Sequence, residues 1–296
     1  MAIADLIILA ISVIGCKLTS IHIIIGNYLD VIFMACILLT LLFLYWDDKK
    51  RSPRLDSILV IPWVLLLIPL LAFPMLIAAR LRMPLQDAHF ARIDHLLGVN
   101  VLVIKIWASH HWLGKLINKT YPLLLLLLWA ASLMPALTGN LDRAREFVVA
   151  NLVAIAVGIP LFGLLPAVGP WSIYHFAPSA AQAYCQAQLF TLRLPGPYLF
   201  LGAPGVVCFP SFHVIWAIVC AFVLWDFRLL RIPVTMLSFM IILATMTTGW
   251  HYFSDVLGGV VVAGIAIAIA KAYTSGSSFC RQPSEAVVEE EASVKV

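Results

Sequence analysis

Two short polar segments in the last third of the chain carry residues suited to nucleophilic chemistry. The segment 249–255 contains His251 and Asp255, and the segment 208–213 contains Ser211 and His213. His251 and Asp255 are four residues apart, so on a helix they lie on one face. The carboxylate can then accept the imidazole N–H, fix the tautomer and stabilise the cation that forms as the other ring nitrogen attacks. This spacing predicts a histidine nucleophile oriented by an aspartate.

The other segment predicts the start of a helix that can hold an anion. Ser211 suits the N-cap position, and Pro210 suits a helix start. The free N–H groups of a first helical turn bind phosphate, and a phosphate there would lie beside His213, which could protonate a leaving oxygen. Each segment alone is also typical of a capped helix with an interfacial histidine. Their pairing favours chemistry.

The elements that must position these segments are predicted to be membrane helices. The 296 residues are 62% hydrophobic and 11% charged, whereas soluble domains carry about 25% charged residues. The net charge of +4 is small and scattered, so nucleic-acid binding is not indicated. We predict an all-α integral membrane protein with about eight transmembrane helices. The predicted ranges are Ile3–Ile25, Leu29–Trp46, Ser57–Ala78, Pro122–Thr138, Phe147–Leu165, Phe212–Trp225, Ile232–Gly249 and Phe253–Tyr273.

Basic residues predict the orientation of these helices. Three short loops on one side carry Lys49, Lys50, Arg51 and Arg54, then Arg143 and Arg145, then Arg228 and Arg231. Such loops are typically cytoplasmic, which places both polar segments at the outer face. The long segment 79–120 is also basic but falls on the outer side. Its amphipathic stretches Leu85–Leu97 and Val101–Ile117 are predicted to lie as surface helices in the membrane interface.

The same reading divides the chain into three parts. Residues 1–55 are predicted to form an N-terminal pair of transmembrane helices, and residues 56–273 a catalytic membrane domain. Residues 274–296 are polar and are predicted to form a disordered cytoplasmic tail. In the last span, Gly258, Gly259 and Gly264 are expected to let helices approach closely.

The six cysteines do not predict a metal site. None forms a CxxC pair, so neither a zinc site nor a disulfide framework is indicated. Cys185 and Cys208 fall in one predicted loop and could pair if that loop faces an oxidising space.

A family resemblance accompanies these residues. Pro210–His213 resembles the PSGH motif of the type 2 phosphatidic acid phosphatase superfamily, and Ala244–Asp255 resembles its SRxxxxxHxxxD motif. Upstream features resemble the inositol-phosphorylceramide-synthase-like branch, and the resemblance covers roughly residues 80–273. These features are the run Pro84-Leu85-Gln86-Asp87, the pair Ile93-Asp94, the run Leu165–Pro170 and the pair Leu192-Arg193.

The resemblance implies a six-helix core, formed by the third to eighth spans, and a reaction without metal or other cofactor. It implies that His251 attacks phosphorus, that Asp255 orients it, and that His213 protonates the leaving alkoxide. Ser211 would hold phosphate oxygens.

The chain departs from the family at its cations. The usual Ser and Arg of the last motif fall at Ala244 and Thr245, and there is no KxxxxxxRP motif. Something must balance the phosphate charge. Arg193, the only Lys or Arg in the predicted loop 166–209, is the first candidate. Arg80, Arg82, Lys105 and Lys115 are further candidates.

The predicted function is therefore a membrane lipid phosphatase or phosphotransferase that acts on a lipid phosphate ester through a phosphohistidine. We expect it in a bacterial inner membrane with its site facing the periplasm. One alternative is a phospho-headgroup transferase of the inositol-phosphorylceramide-synthase type. A small transporter or lipid flippase, and a rhomboid-like protease that uses Ser211 and His251, are alternatives from other classes. The sequence specifies neither the lipid nor a protein partner.

Overall fold

The computed structural model describes residues 14–23, 74–200 and 208–279 of the chain. The second predicted span, most of the first and third, and residues 280–296 of the predicted tail lie outside the described residues. The division into an N-terminal helix pair, a catalytic domain and a tail therefore stays a prediction.

The described residues are mostly helical. The helices are α1 (Asp87–Leu96), α2 (Val101–His110), α3 (Trp112–Thr120), α4 (Leu124–Thr138), α5 (Leu141–Leu164), α6 (Trp171–Tyr174), α7 (Ala180–Arg193), α8 (Phe212–Leu224), α9 (Arg231–Thr247) and α10 (Phe253–Phe279). A 3-10 turn, Tyr121–Leu123, joins α3 to α4. Residues 74–80 are also helical, and strands β1 (Ile21–Ile23) and β2 (Tyr198–Phe200) form a short parallel pair.

Helix α8 lies at the centre of the bundle. It packs against α4, α5, α9 and α10, and α10 packs along α5. The side chains of Ile215, Ala217, Val219 and Cys220 are fully buried in α8. A helix that is apolar on all sides is stable where every face meets protein or lipid. This central position explains how a helix of 13 residues can sit inside a membrane bundle.

Three helical segments are long and apolar enough to cross a membrane: Trp112–Thr138, Leu141–Leu164 and Phe253–Ser275. Val101–His110, Phe212–Leu224 and Arg231–Thr247 are shorter apolar helices. The protein is therefore a membrane protein. Each predicted span from Pro122 onward coincides with a helix, but the described residues do not establish eight spans.

Several predicted boundaries differ from the structure, and the largest difference is at the fourth span. The fourth span was predicted to begin at Pro122, but the apolar helical segment begins at Trp112. Pro122 does not end the helical segment. It lies in the 3-10 turn at the start of α4, where the backbone N–H that proline lacks would have no helical partner in any case. The amphipathic stretch Val101–Ile117 is two helices that meet at His111, and its second half belongs to this segment. The other predicted surface helix, Leu85–Leu97, coincides with α1, and its place in the membrane interface stays a prediction.

Residues 166–209 were predicted as a loop and contain regular structure. Helix α7 begins at a capping box in which the Ser179 side chain and the Gln182 side chain each bind the other's backbone N–H. Strand β2 then pairs with β1, which interrupts the predicted first span Ile3–Ile25. Both strands are rich in branched and aromatic residues, which suit a pleated chain.

One end of the bundle gathers acidic and basic groups. Arg143 donates to Asp226 at 2.6 and 2.8 Å, and to Glu146 at 2.8 Å. The hydroxyl of Thr274 donates to Glu146 at 3.1 Å. Two of the predicted cytoplasmic loops therefore meet at one end, and α8 and α10 start at the other. Helix α10 continues past the predicted end of its span at Tyr273 to Phe279.

Candidate active site

The starts of α8 and α10 are joined directly. The Ser211 N–H donates to the Asp255 carbonyl at 3.1 Å. At Gly259, an added Cβ would lie 2.8 Å from the Ser211 carbonyl oxygen and 2.9 Å from Val214 Cβ. Such distances exclude a side chain without movement of the backbone. A glycine therefore permits the approach that brings the two polar segments together. The expectation of close approach holds for Gly259, whereas an added Cβ at Gly264 would meet no atom of the described residues within 4 Å.

The two histidines of these segments face each other. The ring centroids of His213 and His251 are 6.0 Å apart. His251 is buried, and its Nδ1 lies 3.0 Å from the Cys208 carbonyl and 3.4 Å from Asp255 Oδ2. A proton on Nδ1 satisfies both acceptors, the carbonyl at the shorter distance. This arrangement leaves Nε2 of His251 with its lone pair.

The Asp255 carboxylate is fully buried and has several partners on one oxygen. Its Oδ2 accepts from the Tyr252 N–H at 2.8 Å and from the Cys208 thiol at 3.0 Å. Burial, and then the charge of Asp255, raise the pKa of Cys208 well above its usual range, so the thiol is a donor. Cys185 and Cys208 are both free thiols, so the possible disulfide is absent from the described residues.

An aromatic residue supports His213. The Tyr121 ring stacks on the imidazole with centroids 4.3 Å apart, and its hydroxyl lies 3.3 Å from His213 Nδ1. Tyr121 also lies nearly parallel to Trp250, 6.2 Å away. Sequence reasoning missed Tyr121, because nothing in the spacing links it to a residue 92 positions later.

Ser211 occupies the N-cap position of α8 but does not cap it. Its side chain makes no capping bond, and the hydroxyl oxygen is buried without a hydrogen-bond partner among the described residues. Ser211 therefore has the predicted N-cap position, but the predicted capping hydrogen bond from its side chain is wrong. It also forms no Ser–His dyad with His251, which argues against a protease.

Two carboxylates of α1 hold the segment around His251. Asp94 accepts from the N–H groups of Phe253 at 2.7 Å and Ser254 at 2.8 Å, and so caps α10 from outside. Burial raises the pKa of Asp94, and these two amides oppose that rise. Asp87 accepts from the Tyr252 hydroxyl at 3.1 Å and from the Val168 and Gly169 N–H groups. Neither role was predicted, although both residues belong to the upstream resemblance.

The cations lie in different places. Arg193 ends α7 and donates to the Met83 carbonyl at 2.7 Å, and no contact joins it to either histidine among the described residues. Arg80 donates to the carbonyls of Leu192 and Leu194 at the same end of α7. Lys105 is next to the site: its Nζ lies 3.4 Å from the Thr248 carbonyl, three residues before His251.

Within residues 14–23, 74–200 and 208–279, one group of side chains could hold a metal ion. Donor atoms of Cys208, His251 and Asp255 all lie within 4.8 Å of one another. A search of the sequence for CxxC pairs misses this group, because its members come from two separate segments that only the fold brings together.

These features agree with a family comparison. Residues 88–269 match the model of the PAP2 superfamily, which is more than half of the chain. The chain belongs to the PAP2 superfamily, whose members are generally phosphatases or phosphotransferases. The superfamily prediction is thus confirmed, and the inositol-phosphorylceramide-synthase-like branch stays a prediction. No curated protein matches the chain, and no solved structure matches it.

Proposed function

We propose that this protein is a membrane lipid phosphatase or phosphotransferase that forms a phosphohistidine on His251. The observation that carries the proposal is the pair of imidazoles with centroids 6.0 Å apart at the joined starts of α8 and α10. A phosphate between them meets a nucleophile on one side and a proton donor on the other. Superfamily membership supports the class of reaction.

The hydrogen bonds support a different role for each ring. The Cys208 carbonyl and Asp255 hold a proton on Nδ1 of His251, so Nε2 can attack phosphorus. The Tyr121 hydroxyl pairs with Nδ1 of His213, which leaves Nε2 of that ring for the substrate. As the imidazolium, His213 donates from Nδ1 to the Tyr121 oxygen and can give its Nε2 proton to a leaving alkoxide as a general acid.

The reaction follows in two steps. His251 Nε2 forms a bond to phosphorus as the bond to the ester oxygen breaks, and His213 gives its proton to the leaving alkoxide. Water or a second alcohol then attacks phosphorus and gives its proton to His213, and the P–N bond breaks. Water yields hydrolysis and an alcohol yields transfer of the phospho-group. The transferase alternative therefore uses the same residues.

Three features supply the charge balance that phosphoryl transfer needs. The first-turn N–H groups of α8 point out of its start. The Ser211 hydroxyl is buried with no partner among the described residues, and a phosphate oxygen would satisfy it. We infer that Lys105, through its place beside Thr248, supplies the cation that the motif lacks. Arg193, the candidate from the sequence, is the alternative.

The substrate is a lipid phosphate ester that reaches the site from the membrane. The segment from α1 to α3 exposes apolar side chains that suit contact with lipid tails; they include Leu96, Leu97, Ile106, Trp107 and Trp112. The basic loops at the opposite end favour an outward-facing site, which in a bacterial inner membrane is the periplasmic side.

The test is turnover of a panel of lipid phosphates by the purified protein, with and without an alcohol acceptor and with a chelator present. His251→Ala and His213→Ala should each lose at least about 1,000-fold in turnover, as removal of a nucleophile or general acid does, while melting as the parent does. Asp142→Asn, at the far end of the bundle, is the control and should keep full activity. Normal turnover by both histidine variants would reject the proposal. Movement of unaltered lipid between leaflets of reconstituted vesicles, with no turnover, would favour a flippase instead.

A further inference from the structure

We propose that Cys208, His251 and Asp255 form an inhibitory binding site for Zn²⁺ or a similar thiol-seeking cation. The inhibition rests on the proposed role of His251, whereas the binding does not. Nothing in the superfamily match assigns a metal to these residues.

The geometry is close to that of a metal site. Asp255 Oδ2 lies 3.0 Å from Cys208 Sγ and 3.4 Å from His251 Nδ1, and the three donor atoms lie within 4.8 Å of one another. Around tetrahedral zinc, bond lengths of about 2.0–2.3 Å place neighbouring donor atoms roughly 3.3–3.6 Å apart. The donors therefore need shifts on the order of 1 Å or less.

The chemistry of the donors selects the ion. One sulfur, one imidazole nitrogen and one carboxylate oxygen suit Zn²⁺, and thiolate disfavours Mg²⁺ and Ca²⁺. All three side chains are buried, so water competes little for the ion. The second oxygen of the carboxylate, Oδ1, is buried and has no partner among the described residues. It can turn towards the ion as a fourth ligand.

Metal binding exchanges protons in a defined way. The ion replaces the proton of the Cys208 thiol, which is released to solvent, and takes the place of the proton on His251 Nδ1. The imidazole stays neutral, so its proton moves to Nε2. The lone pair on Nε2 that attacks phosphorus is then gone. The bound ion therefore blocks the nucleophile without touching the phosphate pocket.

Binding is tested with Co²⁺ alone, added to the full-length protein in detergent. We expect one equivalent to produce a thiolate-to-cobalt charge-transfer band and tetrahedral ligand-field bands in the visible, both removed by excess Zn²⁺. Cys208→Ala should lose the charge-transfer band. Cys185→Ser, which removes a buried thiol elsewhere in the chain, should keep it. No band in the parent, or an unchanged band in Cys208→Ala, would overturn the proposal.

Inhibition is measured on whichever lipid phosphate the panel identifies. Zn²⁺ should abolish turnover in the parent and in Cys185→Ser, and a chelator should restore it. The Zn²⁺ concentration for half inhibition should rise more than about tenfold in Cys208→Ala relative to that variant's own metal-free rate, because loss of a ligand costs more than the 10–100-fold that loss of an outer partner costs. An equal Zn²⁺ sensitivity in that variant would contradict inhibition through this site. Co²⁺ bands without any turnover would instead mean that binding stands and the proposed function fails.

Discussion

At the scale of single residues, the site keeps its two imidazoles in different hydrogen-bonding states. His251 has two acceptors at Nδ1, namely the Cys208 carbonyl and Asp255, whereas His213 has at the same position the Tyr121 hydroxyl, which can donate or accept. In the proposed mechanism His251 attacks through Nε2 as a neutral ring, and His213 gives its Nε2 proton as an imidazolium. Two histidines of the same intrinsic chemistry acquire different roles from their neighbours.

The residue assigned to balance the phosphate charge differs between sequence and structure: the sequence favours Arg193, and the structure favours Lys105. Lys105→Met should lower kcat/KM for the lipid phosphate by about 100-fold, as loss of one charged or hydrogen-bonding group at a transition state does. Lys105→Arg should recover part of the loss. Steady-state kinetics in detergent measure the effect.

Arg193→Met is the matched comparison for Lys105, because it removes a guanidinium that contacts the Met83 carbonyl and neither histidine. We expect it to lower kcat/KM by less than about tenfold, because the loss of one hydrogen bond away from the reacting atoms costs about 1 kcal/mol. A larger loss in Arg193→Met than in Lys105→Met would return the phosphate-binding role to Arg193.

Residue spacing predicts part of the site and misses the rest for a definite reason. His251 and Asp255 are neighbours on one short segment, so their contact follows from local geometry. Tyr121, Cys208 and Lys105 act on residues between 43 and 143 positions away. No local pattern encodes such distances. Arg193 was preferred over Lys105 only because the sequence placed it in a loop near the motif.

At the scale of elements, the crossing of α8 and α10 sets the separation of the histidines. Gly259→Ala should force the two helices apart, because its Cβ would meet the Ser211 backbone, and overpacking of this kind costs about 1–3 kcal/mol. We expect a lower melting temperature and a lower kcat. Both are measured on the protein in detergent.

Gly264→Ala is the control for Gly259 in the same helix. An added Cβ at Gly264 meets nothing within 4 Å in the part of the chain that the structure describes, and alanine favours a helix over glycine by up to about 1 kcal/mol. Its melting temperature and kcat should equal or exceed those of the parent. Equal behaviour of the two variants would show that close approach at Gly259 does not set the site.

The sequence predicts the apolar helices of the bundle better than the connections and strands around them. Apolar runs located the five bundle helices α4, α5, α8, α9 and α10, because burial against protein or lipid on all sides leaves a continuous apolar run. They did not show that the 3-10 turn joins α3 to α4, nor that Ile21–Ile23 pairs with Tyr198–Phe200. Strand pairing depends on a partner far along the chain, which composition does not specify.

At the scale of the whole molecule, the two ends of the bundle differ in charge and in chemistry. Arg143, Asp226 and Glu146 meet at one end, and the histidines lie at the other. The basic loops predict that the first end is cytoplasmic. The orientation of the protein in the membrane therefore also decides on which side of the membrane the histidines lie.

Cysteine labelling of intact cells or spheroplasts answers it. Leu97 is 52% exposed near the site end, and Leu229 is 91% exposed between α8 and α9. A membrane-impermeant maleimide should label Leu97→Cys before permeabilisation and Leu229→Cys only after it. The parent chain gives the background from its own thiols. The opposite pattern would place the site at the cytoplasmic face.

The central claim is tested most directly by trapping the enzyme during turnover of a ³²P-labelled lipid phosphate. Rapid denaturation in alkali should leave label on the protein that is stable to alkali, is lost in acid and maps to the peptide containing His251. His251→Ala should carry none, and Asp142→Asn should carry as much as the parent. Label that persists in His251→Ala, or a parent that turns over substrate without ever carrying label, would contradict a phosphohistidine at this residue.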